Sequence, residues 1–200
     1  MTQIVDRGAI VAAYVGIGMA LAIGVSFLLV IPIEPVYWLL APLSGLLIGY
    51  YANARAERVS GPWARILVNG VFAGIVTGLA LAVLLLAVKG LFFAADNGYR
   101  DGSSGASLSC RPGADCVYAR YLAVDGGPER LAGAGITDVA SFSSFYWTQQ
   151  LTTAGTLLVV TAAGALGGAI LFGLARPRRI QTARQDNAPE SQPEIGGRPA

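Results

Sequence analysis

Long apolar blocks dominate the hydrophobic pattern of this chain. Four blocks contain no charged residue: Ala9 to Ile31, Val36 to Ala52, Ile66 to Val88 and Leu151 to Ala175. They are 23, 17, 23 and 25 residues long, and about 20 apolar residues cross the hydrocarbon core of a bilayer as one helix. The second block is therefore at the short limit. The pattern predicts an all-α integral membrane protein built as a four-transmembrane-helix bundle.

Turn residues and polar runs divide the chain around these blocks. We expect the first three helices over about 9–31, 36–52 and 63–93, joined by short loops in one unit, 1–93. A loop module, 94–144, leads into the fourth helix, 145–176. Within the module CVYARYLAV is expected to form a short strand, and Ser141 to cap a helix start. Residues 177–200 are rich in Pro, Gln and Glu and are expected to form a disordered tail.

Composition and charge support this membrane interpretation. The chain is 54% hydrophobic and 13% charged, whereas about 25% of the residues of soluble domains are charged. Positive residues collect on the cytoplasmic side of membrane helices, and here they cluster at Arg55, Arg58, Arg65, Arg176, Arg178 and Arg179. We therefore expect a multi-pass protein of the cell (plasma) membrane, with both termini cytoplasmic and 89–149 extracytoplasmic. The excess of Arg over Lys, with abundant Ala and Gly, favours a bacterial source.

The two cysteines lie in the segment CRPGADC. Pro112-Gly113 is a turn dipeptide that brings Cys110 and Cys116 together. Disulfides persist outside the cytoplasm, so we predict a structural disulfide, with free thiols as the alternative. Zinc sites usually take four Cys or His ligands. The chain has no His and no other Cys, so no metal site is predicted.

Small residues recur at four-residue spacing in every predicted membrane helix. In lipid, helices associate through close backbone approach rather than through a hydrophobic driving force. The predicted helix-packing residues are Gly16, Ala20, Gly24, Gly45, Gly49, Gly70, Gly74, Gly78, Gly164 and Gly168. We expect these faces to pack one bundle internally, and a face turned towards another subunit is the alternative.

Few side chains within the spans carry chemistry. No charged residue lies in the middle of a span, and ion-coupled transporters usually require one. Asn69 is predicted to make an interhelical hydrogen bond, with a ligand contact as the alternative. The chain has no phosphate-binding loop, nucleophile elbow or metalloprotease motif. The sequence therefore predicts no catalytic residue, no enzyme activity and no cofactor.

Two hypotheses for function follow. The first is a non-enzymatic accessory or assembly subunit that lies in the lipid bilayer and binds a membrane-protein partner, or itself as a homo-oligomer; nucleic acid is not an expected partner. The alternative is a small oligomeric transporter or channel component for a neutral solute. Its distinguishing feature would be a common cavity that Asn69, Thr77 and Thr161 face.

Overall fold

The computed structural model describes residues 5–29, 34–56, 62–95 and 110–175. These ranges form six helices and no strand: α1 (Arg7–Leu29), α2 (Glu34–Ala54), α3 (Trp63–Ala95), α4 (Ala114–Ala123), α5 (Gly127–Gly133) and α6 (Val139–Ala175). Among the described residues, α1, α3 and α6 each contain a stretch long and apolar enough to cross a membrane. The predicted all-helical architecture is confirmed.

The predicted strand is wrong, because most of CVYARYLAV belongs to α4. The backbone N–H of Val117 donates to the carbonyl of Gly113, 3.2 Å away, which closes the first turn of this helix. A strand would leave its backbone groups without partners unless another strand lay beside it, and no described segment is extended in that way. A helix satisfies those groups within the segment itself.

Helix α6 begins at Val139, six residues before the predicted start at 145, and Asp138 rather than Ser141 caps it. The backbone N–H of Ser141 donates to Oδ1 of Asp138 over 2.7 Å, and that of Asp138 donates to the Ser141 hydroxyl over 3.3 Å. These two bonds form a reciprocal capping box, in which Asp138 is the N-cap residue and Ser141 is the third residue of the helix. The prediction that Ser141 is the cap is wrong by one turn.

The four long helices alternate in direction. Asp6, at the start of α1, hydrogen-bonds Asn69 near the start of α3. A methyl group on Gly8 of α1 would lie 2.6 Å from Ala56, just beyond the end of α2. One on Gly173, near the end of α6, would lie 2.5 Å from the ring of Trp63. The starts of α1 and α3 and the ends of α2 and α6 therefore meet at one end of the bundle, here called the terminus-side end.

The opposite end carries residues 110–138, with α4 and α5; these residues are here called the cap, and this end the cap end. At about 1.5 Å per residue, the 33 residues of α3 and the 37 of α6 extend about 50 and 55 Å. The 23 residues of α1 and 21 of α2 extend only about 34 and 31 Å. Because the helices are level at the terminus-side end, the extra length of α3 and α6 projects at the cap end.

Glycines make the parallel contact between α2 and α6 unusually close. A Cβ atom on Gly45 or Gly49 would overlap the carbonyl oxygen of Thr161 or Ala165 in α6. A Cβ atom on Gly164 would overlap the carbonyl of Pro42, and one on Gly168 that of Leu46. Each helix thus presents two glycines, four residues apart, to the backbone of the other.

The remaining predicted packing residues also face neighbouring helices. A Cβ atom on Gly70 would lie 2.6 Å from the Ala169 methyl group, and one on Gly78 would lie 3.0 Å from Leu158. The other contacts are those of Gly74 with Ala165, Gly16 with Thr77 and Gly24 with Leu84; Ala20 is fully buried. These stripes therefore pack within one chain.

Several predicted features lie outside the described residues. They are Arg58, Arg176, Arg178, Arg179, the first part of the predicted loop module (96–109) and the predicted tail (177–200).

Candidate functional site

The disulfide between Cys110 and Cys116 is present, as predicted, and it ties the entry of the cap to α4. The two Cα atoms are 5.5 Å apart. Cys116 lies in the first turn of α4 and is 1% exposed. The cross-link therefore fixes the chain where it enters the cap.

An aromatic cluster joins the cap to the ends of α3 and α6. Phe142 of α6 is fully buried, with its ring centroid 5.2 Å from that of Tyr118 and 5.0 Å from that of Tyr121, both in α4. On the next turn of α6, the ring centroid of Tyr146 lies 4.8 Å from that of Phe93 in α3. Aromatic pairs at such distances contribute about 0.5–1.5 kcal/mol each beyond their buried area. The cap thus shares one core with the long helices.

Helix α5 ends in a Schellman motif. Gly135 has a φ of 71°, which other residues adopt only at a cost. The N–H of Ile136 donates to the carbonyl of Leu131 over 2.9 Å, and that of Gly135 donates to Ala132 over 3.0 Å. The side chains of Ile136 and Leu131 are both buried in the aromatic cluster, as is usual for this motif. The turn thereby anchors α5 to the cap core.

A cavity of about 290 Å³ lies between these cap helices and α6. The cap contributes Tyr121, Val124, Gly127, Arg130 and Leu131, and α6 contributes Phe145 and Gln149. Most of this lining is apolar, while Arg130 and Gln149 supply hydrogen-bond donors. Binding sites commonly combine an apolar wall with a few convergent polar groups. This cavity, hereafter the cap cavity, is the strongest candidate site in the described part of the chain.

The charge of Arg130 is available to an occupant of the cap cavity. Its side chain is exposed, and no other described residue forms an ion pair or a side-chain hydrogen bond with it. Its helix begins close against α4, because a Cβ atom on Gly127 would overlap the carbonyl of Tyr121. Gly127 therefore lets the start of α5 lie closer to α4 than a residue with a side chain would allow.

Asp138, the residue before α6, has a carboxyl group whose pKa is shifted by local hydrogen bonds. The backbone N–H of Ser141 hydrogen-bonds its carboxylate and lowers the pKa of Asp138 below its usual value of 3.8, and the Ser141 hydroxyl acts in the same direction. The carboxylate is fully exposed and lies at the start of α6, away from the lining of the cap cavity. Its role is to begin the helix that carries the cap.

Asn69 contacts the N-terminal approach to α1. It is 1% exposed; its Oδ1 accepts from the backbone N–H of Asp6 over 3.1 Å, and its Nδ2 donates to the Asp6 carboxylate over 3.3 Å. A second buried amide, Asn53, was not predicted, because the predicted second span stops at Ala52. The Nδ2 of Asn53 donates to the carbonyls of Gly49 and Ile66, at 3.0 and 3.1 Å. Its position four residues after Gly49, on the packed face of α2, was the signal available.

Asn69, Thr77 and Thr161 make hydrogen bonds within the bundle and line neither of two cavities in the described part of the chain. Thr77 and Thr161 are fully buried, and each hydroxyl donates to a carbonyl of its own helix, at 2.9 and 2.7 Å. Neither hydroxyl lines the cap cavity or a second, apolar cavity of about 20 Å³ between Ala20, Leu84 and Leu157. Asn69 lines neither cavity.

The predicted topology residues that are described lie at the terminus-side end. Arg55 is exposed just beyond α2, with its guanidinium carbon 5.7 Å from the centroid of the Tyr51 ring. Arg65 is half-buried in the first turn of α3. Both thus lie at the opposite end of the bundle from the disulfide and the cap cavity.

Comparison of this chain with protein-family models, with curated proteins and with solved structures found no match.

Proposed function

We propose that this chain is a multi-pass protein of the cell membrane that acts as a non-enzymatic accessory or assembly subunit and binds a membrane partner through its cap. Four helices would span the bilayer, both termini would lie in the cytoplasm, and the cap would lie outside. The exposed apolar surface of the cap carries this proposal.

The fourth span is α2. Its 21 residues extend about 31 Å, enough for the ~30 Å hydrocarbon core. It lies parallel to α6 with two glycines of each helix against the backbone of the other. Because α6 is itself long and apolar enough to span, a helix in such close contact with it along this stretch shares its environment.

Charge and sulfur chemistry support the orientation. Arg7, Arg55 and Arg65 all lie at the terminus-side end, and positive residues favour the cytoplasmic side. The disulfide lies at the other end, where an oxidising compartment would preserve it.

The proposed partner surface consists of apolar side chains of the cap that remain exposed in the described part of the chain. The glycine stripes of α2, α3 and α6 are occupied by contacts within the chain. In the described part of the cap, by contrast, Tyr121, Leu122 and Val124 are exposed at the end of α4. Exposed apolar side chains grouped in this way commonly mark interaction sites. Leu122, 39% exposed, lies outside the lining of the cap cavity and is free to contact a partner.

The test is recovery of the full-length chain from its native membrane in mild detergent after chemical crosslinking, with mass spectrometry of what accompanies it. Leu122→Lys is compared with Ala132→Lys, since both residues are exposed and both lie in the last turn of a short cap helix. We expect the wild type and Ala132→Lys each to be recovered with one other membrane protein in stoichiometric amount. We expect Leu122→Lys to be recovered without that protein. Recovery of the chain alone or only with itself, or equal recovery of the partner with both variants, would overturn the proposal.

A further inference from the structure

We propose that the cap cavity binds the phosphate headgroup of an anionic phospholipid from the leaflet on the cap side, with an acyl chain lying along α6. This inference does not rest on the protein partner proposed above, although Tyr121 and Val124 belong both to the cavity lining and to the exposed surface at the end of α4. It rests on the position of the cavity along α6, on the single charged residue in its lining, and on the surface of α6 that continues below it.

The cavity lies at the depth where headgroups are found. Gln149, on its α6 wall, comes two residues before the apolar block Leu151–Ala175. On the preceding turn the ring centroids of Tyr146 and Trp147 lie 4.8 and 5.5 Å from that of Phe93. Tyr and Trp are enriched at the interface between hydrocarbon and headgroups. In a bilayer, this level along α6 would place the cavity beside the headgroups.

The polar groups of the cavity fit a phosphate. Arg130 is the only charged residue in the lining, and its guanidinium has no partner among the described residues. A guanidinium presents paired donors that match the oxygens of a phosphate. A zwitterionic headgroup would also place a cationic group close to this uncompensated charge. The lining therefore favours a headgroup with a net negative charge.

The surface of α6 below the cavity suits an acyl chain. The helical face of Phe145 and Gln149 continues through Thr152 and Thr156, both exposed, and the hydroxyls of these threonines donate to carbonyls of their own helix, at 2.8 Å each. They therefore need no further polar partner. Beside them, Gly155 is exposed, with open space where a side chain would project. This face therefore offers an acyl chain an uncharged path from the cavity towards the bilayer centre, which free phosphate would not use and a lipid would.

The experiment uses the full chain purified in a neutral detergent, with dye-labelled phosphatidylglycerol as the probe and binding followed by fluorescence anisotropy. Arg130→Gln is compared with Arg111→Gln, because Arg111 is also exposed in the cap but lies outside the cavity. We expect Arg130→Gln to weaken binding about tenfold, the effect of losing one hydrogen bond to a charged group. Arg130→Lys should restore part of the loss, and Arg111→Gln should leave binding unchanged.

A second pair of variants tests the acyl-chain path without touching the cavity. Gly155→Leu would occupy the open space on this path, whereas Gly167→Leu adds the same side chain to another open position farther along α6. We expect several-fold weaker binding only with Gly155→Leu. Unlabelled phosphatidylglycerol should displace the probe, and phosphatidylcholine should do so poorly.

Three outcomes would overturn the proposal. Equal loss with both arginine variants would mean that binding reflects only the net charge of the cap. Displacement by inorganic phosphate as effective as by phosphatidylglycerol would identify a soluble anion site instead. Loss of a crosslinked protein partner with Arg130→Gln, while lipid binding stays intact, would assign the cavity to that partner. Failure of the partner test above, by contrast, would leave the lipid result standing, because Leu122 does not line the cavity.

Discussion

Replacing Gly168 by Ala tests the close contact between α2 and α6. A methyl group at this position would overlap the carbonyl oxygen of Leu46 and lie 2.8 Å from the backbone nitrogen of Tyr50. Both are backbone atoms and cannot rotate out of the way. Helices α2 and α6 must therefore move apart to accommodate the change.

The cost follows from the size of that movement. Ordinary contact of a Cβ atom begins at 3.4 Å, so relieving the Tyr50 contact requires a shift of at least about 0.6 Å, and relieving the overlap with the Leu46 carbonyl requires more. A radial gap of this size forfeits roughly a quarter to a half of the dispersion attraction of each atom along the contact. Overpacked interiors typically lose about 1–3 kcal/mol. We expect Gly168→Ala to lower the free energy of unfolding by about 2 kcal/mol.

Gly167→Ala is the matched control. Gly167 is the neighbouring residue in the same helix, and a methyl group there meets nothing within 4 Å. Both substitutions raise the intrinsic helix preference by about 0.5–1 kcal/mol, so their difference isolates the packing term. Reversible unfolding of the purified chain in mixed micelles, titrated with a denaturing detergent and followed by circular dichroism, measures both. Equal free energies of unfolding for the two variants would show that the α2–α6 approach does not stabilise the bundle.

Three further predictions concern the cap. Replacing Cys110 and Cys116 by Ser should destabilise the cap by about 2 kcal/mol, because the unfolded chain regains the conformational entropy that the disulfide removed. Faster proteolysis of the cap in intact vesicles would reveal this loss, and an unchanged rate of proteolysis would contradict it. Gly135→Ala should cost about 1 kcal/mol, because the Schellman turn requires a φ of 71°; hydrogen exchange should rise around Ile136, and an unaltered exchange rate would count against the motif. The pKa of Asp138 is lowered by its bonds to Ser141, so its stabilisation of the α6 start is complete above the unfolded carboxyl pKa near 3.8 and is lost as the pH falls through the lower native value. Amide exchange of the first α6 turn should therefore accelerate below about pH 4 in the wild type but not in Asp138→Asn, which keeps a capping side chain without the titration; the same acceleration in both would refute this assignment.

Local properties explain the features that the sequence alone determined. Whether a segment can cross a bilayer depends on its own length and apolarity, so three of the four predicted spans were recognised as helices long and apolar enough to cross. The disulfide was also readable from the chain, because only two cysteines are present and a turn dipeptide separates them. Each of these conclusions depends only on the identity and order of residues that are close together in the sequence.

The tertiary structure decided which small residues are in contact. Gly164, Gly167 and Gly168 look alike in the sequence, yet Gly164 and Gly168 meet the backbone of α2 while Gly167 faces open space. A four-residue spacing defines a face of a helix but not the element that covers it. Asn53 was missed for a related reason, since its burial depends on α3 lying against the end of α2.

The cap was the least predictable part for the same physical reason. The segment around Tyr118 and Tyr121 has apolar residues that suit either a strand or a helix, and periodicity does not separate the two in so short a run. In the helix, Tyr118 and Tyr121 lie on one face, and the ring of Phe142 in α6 packs against both of them. The cap cavity exists only because these elements, distant along the chain, meet above the bundle. Segment length and hydrophobicity thus specified helices long and apolar enough to cross a membrane, whereas packing between separate helices specified the candidate site.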